Sequence, residues 1–441
     1  MHVATRPTPP PSPPAAPRAS RALRQSWLDA LRGVAALIVV FEHSLDPLLP
    51  EVRAAISPWF DFGQYGVLVF FLVSGYVVPI SLERRGSVRG FWITRLFRLY
   101  PLWALAAAAG TVFAVAEVYT RLPAQAAERP WTALLAHLTM LQDLLQVPAV
   151  INVFWTLSYE MAFYLLVTAF FVTGVRRTGL GAALVFAVCA PIAGALLPAG
   201  LLTRNLGETT VICGVAVVLA FGFAAVLGKG RDLRRCGAAA LGVLALVLLA
   251  ANSRVGAWQS LAIMATMFGG TALRHLEHSS GERTKRAWAL ALVPVLLVAT
   301  AVWLGPGWGM SEADQLAFKW SWSAALAGAW LTFAAGLALR NRAIPRAVAW
   351  LGLVSYSIYL LHPLVLQVVR RITWDPALLT LEERLSWLAT LFAVVVALAA
   401  LAYRYVERPA QELGRRLAAR HGTAPQRDDP SARIPVPAGR G

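Results

Sequence analysis

Charge is what this sequence has least of. Only 14% of its 441 residues are Asp, Glu, Lys or Arg, against about a quarter in soluble domains. Acidic residues are the scarcer sign, 23 against 40 basic ones. Cysteine is nearly absent: Cys189, Cys213 and Cys236 stand far apart, in or beside apolar stretches. That excludes a disulfide framework and any cysteine spacing suited to a metal, so no metal site is expected. The three read instead as packing residues.

Apolar sequence fills the space that charge leaves. Hydrophobic residues make up 58% of the chain, and a membrane crossing needs about 20 of them in a row. Twelve segments qualify, at 28–45, 63–81, 99–118, 151–174, 179–199, 210–228, 236–251, 257–273, 287–305, 320–339, 349–369 and 385–403. The connection at 252–256 is tight, so segments seven and eight could form a hairpin that stops short of crossing, leaving ten. The expected fold is an all-α, polytopic helix bundle of ten to twelve crossings in the plasma membrane. Residues 1–26, rich in Pro and Arg, read as a disordered tail. Residues 27–410 read as one membrane domain, and 411–441 as a polar tail. No small-x-small cleavage site follows the first apolar run, which is treated as a retained helix.

The formal charge of +17 could signal nucleic acid, but the distribution of basic residues gives a different reading. Loops on the side of the N-terminus, such as Arg84–Arg98, Lys229–Arg235 and Arg340–Arg346, hold 30 Lys and Arg residues, while the opposite loops hold nine. The excess predicts that both termini are cytoplasmic, with lipids and not nucleic acid as partners. Oligomeric state is not legible.

Ionisable residues inside such segments are costly and point to function. The first segment, LDALRGVAALIVVFEHS, places Arg32 eleven residues before His43. Eleven steps of about 100° return close to the same helix face, with a separation of ~16 Å along the axis. The bland alternative is a snorkelling arginine and an interfacial histidine. The fourth segment buries Glu160, with Tyr164 one turn further on the same side. The eleventh carries His362 before Pro363, where the bland reading is a histidine that only caps a helix break. On the predicted topology His43, Glu160 and His362 fall at similar depth in the outer half. An imidazole held by a carboxylate suits general-base work. Arg95 and Arg98, three apart at the mouth of the third segment, share a helix face and present forked donors suited to phosphate; ordinary positive-inside decoration is their plainer reading. Ser74, beside Gly75 in the second segment, and Tyr356 in the eleventh are further site-lining candidates. Gly75 reads first as a packing residue.

Taken in order, the motifs LDALRGVAALIVVFEHS, GVLVFFLVSGYVV, TRLFRLYP, FWTLSYEMAFYLL, VSYSIYLLHP and YRYVERP resemble the membrane acyltransferase-3 family. That family includes bacterial O-acetyltransferases of surface polysaccharides and macrolide 3-O-acyltransferases. The resemblance runs from about Ser26 to Pro409, with no alignable motif between 175 and 345. It implies that Arg32 and His43 are essential, that Arg95 and Arg98 act at the acyl-donor side, and that Glu160 is the family's buried glutamate. It implies about ten crossings.

The expected activity is therefore transfer of an acyl group, acetyl in the simplest case, from acyl-CoA to a hydroxyl of a glycan or a macrolide-like metabolite. Acyl-CoA is a co-substrate, and no bound cofactor is expected. On this expectation the donor phosphates dock among Arg32, Arg95 and Arg98, while His43, oriented by Glu160, deprotonates the acceptor; an acyl-imidazole on His43 is the other route. A multi-pass transporter of a polar or anionic solute is the rival reading, since buried charges also line transport pathways.

Overall fold

The computed structural model describes residues 18–118, 123–175, 179–277, 282–305 and 311–420, with side chains described from residue 26 onward. Among these residues every regular element is helical. The long helices are α1 (Arg18–Leu48), α2 (Phe62–Arg85), α3 (Val88–Val115), α4 (Trp155–Thr173), α5 (Gly179–Leu196), α6 (Glu208–Leu227) and α7 (Arg231–Ala251). They continue with α8 (Ala257–Glu277), α9 (Arg283–Leu304), α10 (Glu312–Ala338), α11 (Arg346–Leu353), α12 (Ser355–Thr373), α13 (Leu381–Ala402) and α14 (Arg408–Ala419).

All twelve expected segments are helices, with α11 and α12 sharing the eleventh across a 70° bend. Nine helices among the described residues are long and apolar enough to cross a membrane, and the bent pair makes ten. The two left out are α1 and α8. Helix α1 carries the ionisable residues, and α8 is full length, so the tight connection before it does not shorten it. Its polar positions (Ser260, Thr266, Thr271) are buried along with nearly every residue from Ala257 to Ala272. It packs against α2, α4, α5, α7 and α9. Ringed by protein, α8 needs no lipid-compatible surface, and its hydropathy is correspondingly low.

Helix extends past the expected membrane domain at both margins. Helix α1 begins at Arg18, so the inner residues of the expected N-terminal tail are helical; RASRALRQS is rich in good helix formers. Helix α14 takes Gln411–Ala419 from the expected C-terminal tail, buries Gly414 and Ala418, and packs on α3. Residues 1–17 and 421–441, with the rest of both tails, lie outside the described residues. The cysteines are also not packing residues: all three are free and exposed on the bundle surface.

Short polar signals set the helix ends. Asp61 caps α2 by accepting from the Gln64 N–H at 2.8 Å, and Ser87 caps α3 through the Gly90 N–H at 3.2 Å. Gly86 (φ 62°) and Gly174 (φ 81°) stop α2 and α4 in the left-handed conformation. The basic α2–α3 loop with Arg84, Arg85 and Arg89 defines what is here termed the basic end of the bundle; α1 and α2 reach the far end at Leu48 and Phe62.

Glycine allows the central crossing to be close. A Cβ on Gly75 of α2 would lie 1.7 Å from the carbonyl oxygen of Met267 on α8, and one on Gly270 would meet Leu72 O at 2.3 Å. Across the same contact Thr271 donates its hydroxyl to Gly75 O at 2.8 Å. The packing role read for Gly75 is what the structure shows.

Between α3 and α4 at the far end, non-helical chain is buried inside the protein, including Met140–Leu145. Such backbone is tolerated away from water only if its polar groups are satisfied. Asn252 donates to Leu144 O at 2.9 Å, Gln146 donates to Asn252 O at 2.6 Å, and Gln142 donates to Phe154 O at 2.7 Å. Tyr159 donates to Asp143 Oδ2 at 3.0 Å, and Ser158 Oγ accepts from the Asp143 N–H at 3.1 Å. This network fixes the first turns of α4, which carries Glu160.

Two stability predictions follow from these contacts. Gly75→Ala should cost about 1–3 kcal/mol through overpacking and lower the thermal midpoint in detergent. Gly181→Ala, whose Cβ would meet nothing within 4 Å, should leave that midpoint unchanged. Burial raises the Asp143 carboxyl to about 6, against the Tyr159 hydrogen bond and Arg254, which lower it. The folded protein therefore holds a proton that the unfolded chain releases nearer pH 4, and stability falls as pH rises through that window. Asp143→Asn should flatten this dependence and raise the midpoint at pH 7; a lower midpoint at pH 7 would contradict it.

Candidate functional site

Two cavities follow one another along α2 and α4. The inner one, of about 60 Å³, is lined by Arg32, Ser74, Arg98, Glu160, Ser355 and Tyr356, among others. The outer one lies nearer the far end, has a volume of about 200 Å³, and is lined by Glu42, His43, Arg53, Asp61, Gln64 and Trp155. Val67 and Tyr359 line both and so form the partition between them. Tyr359 is held there by a 3.3 Å hydrogen bond to Val153 O and by edge contact with Phe70.

Five helices, α1, α2, α3, α4 and α12, converge on the inner cavity. Arg32 of α1 pairs with Asp29 at 3.1 Å. Arg95 of α3 is buried, its Nε lacks a hydrogen-bond partner, and its guanidinium lies 5.4 Å from the ring centroids of both Phe91 and Tyr164. Aromatic faces rather than carboxylates hold that cation. Arg98, one turn on, makes no hydrogen bond among the described residues. Glu160 accepts the Tyr164 hydroxyl and is the shared electrostatic partner of Arg32, Arg95 and Arg98. Tyr356 donates to Leu99 O at 3.0 Å, tying α12 to α3. Ser74 lines the cavity as expected.

The outer cavity contains the imidazole. His43 Nδ1 lies 2.8 Å from His362 Nε2. The ring centroids are 5.1 Å apart and the planes differ by 14°. That separation equals the N···N distance plus two ring radii of about 1.15 Å each, so the rings meet edge to edge along the hydrogen bond rather than face to face. Around them, Glu42 pairs with Arg53 at 2.5 Å, and Arg53 also meets Asp46 at 2.7 Å.

The structure places six of the nine expected residues in the lining of two adjoining cavities, with Arg95, Tyr164 and His362 packed against those residues, but regroups them. Glu160 does not orient His43. It bonds to Tyr164 on its own helix and sits among the arginines, one cavity away. The partner of His43 is His362. The expected similar depth does not hold: Glu160 lines the inner cavity at the level of Arg32 and Arg98, while His43 lines the outer one nearer the far end.

Several residues escaped the sequence reading. Glu42 is adjacent to His43 in the first motif, and its position within a span was a usable signal. Tyr359 lies one turn before His362 on the same face. Glu407, buried in the π-helical turn Tyr403–Glu407 of the YRYVERP motif, accepts from Ser357 at 2.9 Å and is an electrostatic partner of Arg98. Asp61 and Trp155 carried no signal beyond capping and hydropathy. Among the described residues no cluster of His, Cys, Asp or Glu could hold a metal ion.

Comparison with known proteins gives this arrangement a family. No solved structure matches the chain. A similar protein is the acyltransferase MdmB of Streptomyces mycarofaciens, 33% identical over 147 residues, which is 31% of this chain and 37% of that relative. The match thus spans a little over a third of the curated relative. The acyltransferase domain family matches residues 25–404, which takes in both cavities and every residue named above except Glu407. The chain belongs to this family, with the helix architecture of a multi-pass membrane protein.

Proposed function

We propose that the protein transfers a short acyl group, acetyl in the simplest case, from acyl-CoA to a hydroxyl of a glycan or macrolide-like acceptor. The observation that carries this reading is the order of the two cavities: unpartnered guanidinium N–H groups in one, an imidazole in the next, and a thin partition between. Arg95 and Arg98 offer forked donors to phosphate. His43 lies eleven residues beyond Arg32, ~16 Å by helical rise, comparable to an extended pantetheine arm. With the phosphates at the arginines, the thioester reaches the partition, and the acceptor enters the outer cavity. An inner cavity of about 60 Å³ is far below the roughly 300 Å³ of a small-ligand site, so donor binding requires the surrounding helices to part. The α11–α12 bend places a break in the spans at that wall, next to Ser355 and Tyr356.

In the direct route, His43 removes the proton of the acceptor hydroxyl as its oxygen attacks the thioester carbonyl. The C–S bond then breaks, and the thiolate leaves with the electron pair and takes up a proton. The basic-loop excess supports cytoplasmic termini in the plasma membrane, which puts the donor side in the cytoplasm and the outer cavity towards the opposite face. Family membership favours an enzyme over the transporter, because buried arginines and histidines are then accounted for by donor and acceptor.

Two variants test the assignment in purified protein supplied with acetyl-CoA and candidate acceptors. His43→Ala should lower the transfer rate by about 10²–10⁴-fold, the range for loss of a general base. Arg98→Ala should raise the KM for acyl-CoA by roughly 10-fold or more, as expected for one lost charge-assisted bond. Transfer that survives His43→Ala unchanged would refute the role of the imidazole.

A further inference from the structure

The α12 backbone around Pro363 shows how the second histidine is held. In an unbroken helix, the N–H of residue 363 would donate to the carbonyl of Tyr359. Proline has no N–H, so that carbonyl is released inside α12. His362 Nδ1 lies 3.2 Å from Ile358 O, in the turn preceding the proline. A carbonyl oxygen can only accept, so Nδ1 of His362 carries a hydrogen. In the neutral ring, Nε2 is then the lone-pair atom. It is this Nε2 that faces His43 Nδ1 at 2.8 Å, so His43 must donate from Nδ1. The consequence falls on the other side of the His43 ring: Nε2 is left unprotonated.

We infer that His362, set by the Ile358 carbonyl, is a positioning residue that fixes the tautomer and orientation of His43. This rests on His43 acting as the base. It assigns to an imidazole the task commonly performed by a carboxylate in a base–orienter pair. The in-plane N–H···N geometry holds the His43 ring against rotation, so its free lone pair keeps one direction. His362 itself is buried and lines neither cavity, which separates it from any group that touches substrate. A neutral orienter also avoids a second charge beside His43, in a region where Glu42 is already paired with Arg53.

Replacement of His362 by residues of different hydrogen-bonding capacity tests this. His362→Gln keeps an acceptor oxygen for His43 and an amide N–H for the Ile358 carbonyl; His362→Ala keeps neither. Steady-state transfer from acetyl-CoA would be measured for wild type, His43→Ala, His362→Ala and His362→Gln, with thermal midpoints as the check on folding. His362→Ala should lower kcat about 100-fold, with the KM for acetyl-CoA within about 2-fold, and His362→Gln should recover most of the loss. The inference is overturned if folded His362→Ala retains kcat within about 3-fold while His43→Ala is inactive. Equal losses in His362→Ala and His362→Gln also overturn it, since packing alone would then explain the position. If His43→Ala matches wild type, the base assignment itself fails, and the positioning role fails with it.

Discussion

A guanidinium and an imidazole on one face of α1 cannot be left facing hydrocarbon. That constraint organises the bundle. An unpaired charge or polar group away from water costs several kcal/mol, so α1 must be surrounded by helices that satisfy Arg32 at one level and His43 at another. At the lower level Asp29 and Glu160 answer the arginines; at the upper level α12 brings His362 to His43. The close packing this requires shows in the backbone: a Cβ at Gly352 would come within 1.9 Å of Asp29 O, so α11 can lie directly on α1 only because position 352 has no side chain. Two chemically distinct cavities on one line are the result of meeting both demands with the same helix.

The same logic explains why the centre of the bundle is less apolar than its rim. Helix α8 is buried along nearly its whole length and carries Ser260 and Thr271, which bond to α4 and α2. Helices on the outside, such as α5, α6 and α9, supply the hydropathy. A hydropathy criterion therefore passes over α1 and α8, while it still finds the buried helices α2 and α4.

Much of this was legible in the sequence, because a bilayer turns hydropathy and charge into strong signals. Twelve helices were readable from apolar length, and the Arg32–His43 face from helical period alone. Arg95 and Arg98 were readable as a pair from their spacing. What periodicity could not give was the pairing between helices distant in sequence. His43 and His362 are separated by 319 positions, and nothing local distinguishes a histidine that bonds to another histidine from one that bonds to Glu160. Glu42 and Tyr359 lay next to recognised residues and were overshadowed by them. The helical continuation at both ends was missed because polar, amphipathic helix outside an apolar run resembles a tail by composition.

The account's central claim is that donor and acceptor meet at the partition formed by Val67 and Tyr359, with arginines on one side and His43 on the other. A cryo-EM structure with a non-hydrolysable acyl-CoA analogue tests this most directly. The account predicts phosphates against Arg95 and Arg98, a widened inner cavity, and the acyl carbon within about 4 Å of the His43 ring, contact distance. A nucleotide bound at the far end among Glu42, Arg53 and Asp61, or an acyl group directed away from His43, would contradict it.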